Sequence, residues 1–279
     1  MKKEYHYFFN INHDKCKEIL ELLNLNNIKY TSIGDCISLR IYEDNLHFAQ
    51  ICKLLKHKSV SLQIRCEYSK KELSEAKFLR IWLRRYSGYP QPEAIDVKNS
   101  YINYTFDIKN FCIKCGSGLV QNDSFYLKKS FNIDKIRFGG VYWVYDTFFI
   151  TTELRDLFAK EKFTGIEFVP VKNIKTKQIV DNIVQLKINE IFPAKLKYDI
   201  EKIIDCKQCG QKRDVMKMDS EVITSKDVLK DLDKDFYLSQ EFHGDGFLCC
   251  KSVLISNRVY KFLIDNKIKN ICAEPIRFE

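Results

Sequence analysis

The sequence reads CIKCG at residues 112–116 and CKQCG at residues 206–210, two copies of a Cys-x-x-Cys-Gly motif in a chain of 279 residues. A Cys-x-x-Cys turn directs both sulfurs towards one ion, and the following glycine tolerates a positive φ, which lets backbone amides face the thiolates. Four thiolates satisfy the tetrahedral coordination of Zn²⁺ and leave no open position for catalysis. We therefore predict one structural zinc ion, with the ligands Cys112, Cys115, Cys206 and Cys209.

Two other interpretations of the motifs stay open. A thioredoxin-like redox pair lies at the start of a helix, whereas Gly116-Ser117-Gly118 would break such a helix at once. Two unlinked structural turns are the other alternative, because the roughly 90 residues between the pairs exceed the spacing within ordinary zinc ribbons. A duplication of the chain favours zinc over both, since two equivalent turns that meet across a pseudo-twofold axis supply two sulfurs each.

An internal repeat downstream of each motif indicates such a duplication. Residues 150–171 (ITTELRDLFAKEKFTGIEFVPV) align without a gap with residues 255–276 (ISNRVYKFLIDNKIKNICAEPI), and apolar residues coincide throughout. Pro170 falls on Pro275. Because chance is a poor explanation for the whole ordered set, we predict a duplicated domain.

Both copies of the repeat predict the same elements. A hydroxyl residue suited to an N-cap precedes each helical pattern, Thr151 or Thr152 in the first copy and Ser256 in the second, and a short strand follows. An apolar run before each helix, at residues 141–149 and 247–254, predicts another strand. Each unit is therefore motif, insert, strand, helix, strand, with repeats at about residues 110–173 and 204–279.

The N-terminal part of the chain has its own pattern, βαββαβ, which is typical of the ferredoxin-like arrangement. An α+β sandwich with another strand pairing stays open. The stretch SGYPQPE at residues 87–93 breaks regular structure. We therefore predict an α+β chain with a ferredoxin-like domain at residues 1–86 and a duplicated zinc domain at residues 87–279. The predicted N-terminal elements are strands at 5–11, 28–33, 36–42 and 60–68 and helices at 14–25 and 45–56.

Composition predicts a soluble, cytoplasmic protein. The chain is 45% apolar, enough for a sizeable core, and no segment approaches the ~18 consecutive apolar residues of a membrane helix. The N-terminus lacks the pattern of a secretory signal. The eleven cysteines are then thiols or metal ligands, and we expect the seven outside the motifs to act as small hydrophobes.

Three common catalytic motifs are absent from the sequence. It contains no glycine-rich phosphate loop, no His-Glu-x-x-His and no nucleophile elbow. The stretch His243-Gly244-Asp245-Gly246 fits a small catalytic loop, but a hairpin turn needs the same glycines. We favour the turn and predict that the protein is not an enzyme.

A basic, aromatic segment is the candidate surface for a partner. The chain has a formal charge of +9, and one segment interleaves arginines with aromatic residues: Arg80, Trp82, Arg84, Arg85, Tyr86 and Tyr89. Such residues anchor protein interfaces, and guanidinium and aromatic faces also bind single-stranded nucleic acid. A solvated face is the plainer alternative. We expect partner binding at Trp82, Arg84, Arg85 and Tyr89.

The paired motifs resemble those of the bacterial double-CXXCG proteins, and the ends of the two repeats are similar to those of the related Imm11-like immunity proteins. The resemblance covers roughly residues 110–279 and rests on the motif residues with Gly116 and Gly210. It implies a cytoplasmic antidote that binds and blocks a partner toxin. A nucleic-acid-associated factor, acting in phage defence, is the alternative that the basic charge favours.

Overall fold

The computed structural model describes residues 1–10, 12, 16–56, 60–94, 96–128, 131, 133–217, 220–246 and 248–279. The chain is a mixed α+β protein, mostly sheet with few helices. It divides into two compact units, residues 1–72 with 217–221 and residues 73–216 with 222–279.

The first unit is a four-stranded antiparallel sheet with two helices. The strand order is β2-β3-β1-β4, and the hairpin between β2 and β3 turns at Gly34, whose φ is +57°. Apolar residues of both helices, among them Ile19 and Ile51, pack on Phe9 and Leu39 of the sheet. The elements are β1 (Lys2–Asn10), α1 (Cys16–Leu25), β2 (Tyr30–Ile33), β3 (Cys36–Tyr42), α2 (Phe48–Leu55) and β4 (Ser61–Glu67).

These six elements follow the predicted order. The predicted strand end at Ile11 and the predicted helix start at Asp14 lie outside the described residues. The second helix begins at Phe48, three residues later than predicted, because Asn45 forms a turn in which its carbonyl accepts from Phe48 N and its side chain from His47 N. A short helix, α3 (Lys70–Glu75), spans the division between the units.

The second unit contains two main sheets. Their strand orders are β8-β11-β12-β10-β9 and β13-β14-β16-β17-β5-β18-β15, and β6 and β7 form a separate hairpin. Short 3-10 helices occur at Val97–Asn99 and Lys226–Asp231. The elements are β5 (Phe78–Leu83), α4 (Tyr101–Thr105), β6 (Phe106–Asp107), β7 (Val120–Gln121), β8 (Tyr126–Leu127), β9 (Phe138–Gly139), β10 (Phe148–Thr151), α5 (Thr152–Glu161), β11 (Ile166–Asn173), β12 (Ile179–Ile188), β13 (Ile200–Asp205), β14 (Lys212–Met216), β15 (Val222–Thr224), β16 (Phe236–His243), β17 (Cys250–Ser256), α6 (Asn257–Asp265) and β18 (Ile271–Phe278).

The two predicted strand–helix–strand segments fold alike, as β10-α5-β11 and β17-α6-β18. Thr151 caps α5 by accepting from Leu154 N, and Ser256 caps α6 by accepting from Val259 N. The helices contact each other through Phe158 of α5, whose ring centroid lies 5.3 Å from that of Phe262 in α6. They share a core with both sheets.

In each sheet a third strand lies between the two strands of the strand–helix–strand segment. Val184 of β12 pairs with Ile150 and with Pro170 in the first sheet. Leu79 of β5 pairs with Ile255 and with Pro275 in the second. Because all three pairs of equivalent positions are 105 residues apart (184 − 79, 255 − 150 and 275 − 170), the two sheets share one register.

The position of β5 places the division between the units earlier than the predicted boundary after residue 86. This strand is central in the seven-stranded sheet, between β17 and β18, and it buries Phe78, Leu79, Ile81 and Leu83. Residues 73–86 therefore belong to the second unit. The proline-containing stretch at residues 87–93 lies within that unit, where Gln91 N donates to Tyr126 O.

The strand predicted at residues 141–149 is wrong for most of its length. Turns occupy residues 141–147, Trp143 has a φ of +74°, and β10 starts only at Phe148. The apolar pattern there reflects aromatic side chains on a turn-rich loop. The second predicted strand, at residues 247–254, begins at Cys250, and Phe247 lies outside the described residues.

Candidate metal centre

Both Cys-x-x-Cys-Gly motifs form the same backbone turn at the tip of a hairpin. The first lies between β6 and β7, and the second between β13 and β14. Cys112 N donates to Ser117 O, and Cys206 N donates to Gln211 O, each over 2.9 Å. The glycine after each motif, Gly116 or Gly210, donates from its backbone N to the carbonyl of the first cysteine, over 2.8 and 2.9 Å. Their φ angles of +74° and +75° explain why glycine stands there.

The two turns bring the four predicted ligands together. The Sγ atoms of Cys112 and Cys206 are 3.6 Å apart, and those of Cys115 and Cys209 are 3.5 Å apart. All four sulfurs lie within 4.8 Å of one another, and among the described residues this is the one such group of three or more His, Cys, Asp and Glu side chains. Four sulfurs at ~2.3 Å from a central Zn²⁺ would be ~3.8 Å apart, so the cluster has the dimensions of a four-sulfur metal site.

Hydrogen bonds to the sulfurs of the second turn lower the pKa of its thiols and so favour the thiolates that bind a cation. Backbone N–H groups of Cys209 and Gln208 lower the pKa of Cys206. The Gln211 N–H and the Ser117 hydroxyl lower the pKa of Cys209 to about 6. Burial raises the pKa of Cys112 to about 11, so a metal ion is the group that would make this thiolate favourable.

Ser117 is a functional candidate that the sequence reasoning missed. Its Oγ lies 3.1 Å from Cys115 Sγ and 3.6 Å from Cys209 Sγ, and therefore contacts one sulfur of each motif. Hydrogen bonds of this kind orient metal ligands. The signal was its place directly after Gly116, inside the tight turn.

The other seven cysteines only partly follow the expectation of small buried hydrophobes. Cys16 is buried in the core of the first unit, whereas Cys36 is exposed. Cys52, Cys66, Cys249, Cys250 and Cys272 are half-buried.

The residues of the predicted partner surface are exposed. Trp82 and Tyr89 expose 39% and 37% of their area, and Arg84 and Arg85 are exposed as well. Neither arginine forms an ion pair with any acid in the described part of the chain. Arg84 Nε donates to Ile271 O over 3.0 Å, which fixes the start of its side chain.

Tyr89 belongs to a row of five aromatic side chains, which we call the aromatic strip. It consists of Tyr86, Tyr89, Tyr142, Trp143 and Tyr145, with centroid distances of 5.0 Å for Tyr86–Tyr145, 6.1 Å for Tyr86–Tyr142, 5.2 Å for Tyr89–Tyr142 and 4.5 Å for Tyr89–Trp143. The three residues from the 141–147 loop expose about two fifths of their area each. The sequence reasoning missed them because it assigned that loop to a strand.

The candidate loop at residues 243–246 connects β16 to β17. His243 ends β16 and pairs with Cys250 of β17. Burial lowers the pKa of His243 to about 4, so its imidazole is neutral at pH 7. Asp245 is exposed, with its Oδ2 3.6 Å from Lys202 Nζ, and Gly244 has a φ of +103°. This arrangement agrees with the hairpin interpretation.

In comparisons with known proteins, no family model matches this chain, and no curated protein matches it either. None of the helices that the structure describes has the length and apolarity needed to cross a membrane.

Proposed function

We propose that this protein is a non-catalytic binding protein, stabilised by one structural zinc ion, which acts in the cytoplasm as an immunity-type inhibitor of a partner toxin. The resemblance of its motifs to those of double-CXXCG and Imm11-like proteins motivates the inhibitor role. The observation that carries the binding role is the aromatic strip, in which every member except the half-buried Tyr86 is exposed, together with the exposed Arg84 and Arg85.

The proposal includes an architecture, a ferredoxin-like domain followed by a duplicated double-CxxCG domain. The antiparallel order β2-β3-β1-β4, with helices after β1 and β3, supports the first part. The common register of the two sheets and the identical cysteine turns support the second. The strand β5 precedes the first repeat but lies in the sheet of the second, and β12 precedes the second repeat but lies in the sheet of the first. In this interpretation β5 and β12 are equivalent strands that the two repeats exchange.

The zinc ion in this proposal is structural. Four thiols fill the four positions of a tetrahedral ion, so no position is left for water or substrate. The ion would join two hairpins that are 94 residues apart in sequence, as Cys112 and Cys206 show. Its role is then to fix the relation of the two repeats within the second unit.

The partner surface has the composition of a protein interface. Tyrosine, tryptophan and arginine are enriched at such interfaces and dominate their hot spots. The positive charge of the chain and the two arginines, which have no acidic partner among the described residues, favour a partner with an acidic surface. An interface centred on the strip would bury about 800 Å² on each partner.

Binding to a secreted toxin whose gene neighbours this one tests the proposal. We expect Trp143→Ala to weaken binding by about 30-fold, which corresponds to a hot spot of about 2 kcal/mol. Arg84→Glu/Arg85→Glu should mainly slow association, since rim charges steer the encounter. The control Arg155→Glu/Lys160→Glu makes the same charge change on α5 and should leave binding unchanged.

Two results would contradict the proposal. One is toxin binding that none of the strip variants weakens. The other is binding of single-stranded oligonucleotides that falls steeply with salt and is lost in Trp143→Ala, which would make the strip a nucleic-acid surface.

A further inference from the structure

A group of ionisable side chains lies on one face of the seven-stranded sheet. Asp214 of β14 is opposite His243 of β16 in register, and Arg80 of β5 is opposite Glu274 of β18. Arg80 Nε forms an ion pair with Glu274 Oε1, and Glu274 is only 5% exposed. Asp214 accepts a hydrogen bond of 2.7 Å from the Tyr198 hydroxyl.

These residues border an open pocket of about 330 Å³, which is within the range of small-molecule sites. Trp82, Tyr86 and Tyr145 form its aromatic walls. Arg80, Asp214 and Asp245 supply its charges, and Lys251 and the neutral His243 are also part of the lining.

The first sheet shows that the fold does not require the Arg80–Glu274 ion pair. The positions equivalent to Arg80 and Glu274, 105 residues away in each case, are Gln185 and Val169, which pair in the same register. Gln185 is satisfied by two hydrogen bonds of 2.7 Å with Gln121. Since a buried ion pair is no more stabilising than a well-packed neutral pair, the charged set in the second sheet indicates a ligand.

The charges facing the pocket have both signs. Nε of the Arg80 guanidinium is paired with Glu274, while Nη1 lies against the weak acceptor Met216 Sδ. The register of Lys251 with Phe242 places its side chain on the opposite face from His243 and Cys250, where Nζ lies 4.9 Å from the Phe242 ring centroid. A ligand carboxylate is the natural acceptor for the Arg80 guanidinium. The carboxylates of Asp214 and Asp245 have room for further donors, which a ligand ammonium supplies.

We propose that this pocket binds a free α-amino acid with an apolar or aromatic side chain. Its carboxylate would meet Arg80, and its ammonium would meet Asp214 and Asp245. Its side chain would pack on Trp82, Tyr86 and Tyr145. This proposal goes beyond the toxin-binding role, although the pocket shares Trp82 with the predicted partner surface and Tyr86 and Tyr145 with the aromatic strip. Its occupant is defined by two opposite charges separated by one carbon.

Thermal unfolding of the full-length, metal-loaded protein with a panel of free amino acids tests the proposal. We expect at least one apolar or aromatic amino acid to raise Tm by about 5 °C at saturation. The N-acetyl derivative and the methyl ester of that amino acid each lose one charge and should each lose most of this shift.

Two variants and one control identify the site. Arg80→Gln/Glu274→Val copies the residues of the first sheet and should fold while losing the shift. Asp214→Asn removes the partner of the ammonium and should also lose the Tm shift. It tests the site if the double variant fails to fold. Lys187→Ala changes the residue equivalent to Trp82 in the first sheet and should keep the full shift.

Three results would overturn the proposal. The first is that no free amino acid in the panel raises Tm. The second is that the N-acetyl methyl ester of the amino acid, which lacks both charges, or an uncharged nucleoside, stabilises the protein equally well. The third is a shift that persists undiminished in Asp214→Asn or in the double variant.

Discussion

At the scale of single residues, Gly118 constrains the first cysteine turn most tightly. Its φ is +85°, and a Cβ built there would lie 2.0 Å from Asn110 O, a backbone atom that has little freedom to move. Gly210 in the second turn has a φ of +75°, but a Cβ there would meet no atom within 4 Å. The two glycines therefore differ in crowding while sharing a left-handed backbone.

Because of this difference, we predict that alanine lowers the free energy of unfolding more at Gly118 than at Gly210. Gly210→Ala should cost about 1 kcal/mol, from backbone strain alone. Gly118→Ala should cost at least ~3 kcal/mol and reduce the metal content, because the clash displaces Asn110 and the turn beside it. Urea unfolding with elemental analysis of both variants measures this, and equal losses would contradict it.

Asp235 connects the two helical segments and makes stability depend on pH. It accepts hydrogen bonds from Arg258 over 2.7 Å, from Ser256 over 2.7 Å and from Thr164 N over 3.0 Å. Burial alone would raise its pKa, but these donors together lower the pKa below its ordinary value. A carboxyl group whose pKa is lower in the folded state stabilises the fold above its unfolded pKa, and this stabilisation is lost as pH falls.

Asp235→Asn should therefore cost about 2 kcal/mol at pH 7 and progressively less below about pH 4, where the wild-type group also takes up a proton. Asp156→Asn, at an exposed carboxylate on α5, is the control and should change stability little at any pH. Urea unfolding from pH 7 to pH 3 gives both curves. A cost that stayed constant down to pH 3 would refute this role of Asp235.

At the scale of elements, local signals were predictable and distant pairings were not. The sequence predicted α5 and α6 because the capping hydroxyls of Thr151 and Ser256 and the apolar spacing are local features. It missed the place of β5, since this strand pairs with residues about 170 positions further along the chain. Periodicity carries no information on which strand becomes a neighbour.

The place of β5 predicts which fragment folds. A fragment of residues 73–279 keeps β5 between β17 and β18 and should unfold cooperatively and bind metal. A fragment of residues 87–279, which follows the boundary expected from sequence, lacks this central strand and should aggregate or stay unfolded. Circular dichroism melts compare the two fragments, and equal Tm values would contradict the account.

At the scale of the whole molecule, the cluster of four cysteines was the most predictable feature. The four cysteines could be predicted because each motif is a complete turn, with its glycine, within five residues. The aromatic strip and the charged pocket could not be predicted, because their residues come from distant parts of the chain. Both combine the segment at residues 80–89 with the 141–147 loop, and the pocket also includes strands of the second half. Their residues have no common spacing in the sequence.

The metal ion is central to the proposed function, because it would join the two repeats. Loss of a structural zinc ion removes on the order of 10 kcal/mol of apparent binding energy in small domains, so its removal should lower Tm markedly. The matched pair of variants is Cys209→Ser, in the cluster, and Cys36→Ser, at an exposed cysteine outside it.

Elemental analysis of protein purified without added metal is the most direct test. We predict about one zinc ion per chain in the wild type and in Cys36→Ser, and little zinc with a lower Tm in Cys209→Ser. Wild-type protein that is free of metal and melts at the same temperature with and without added zinc would contradict the account.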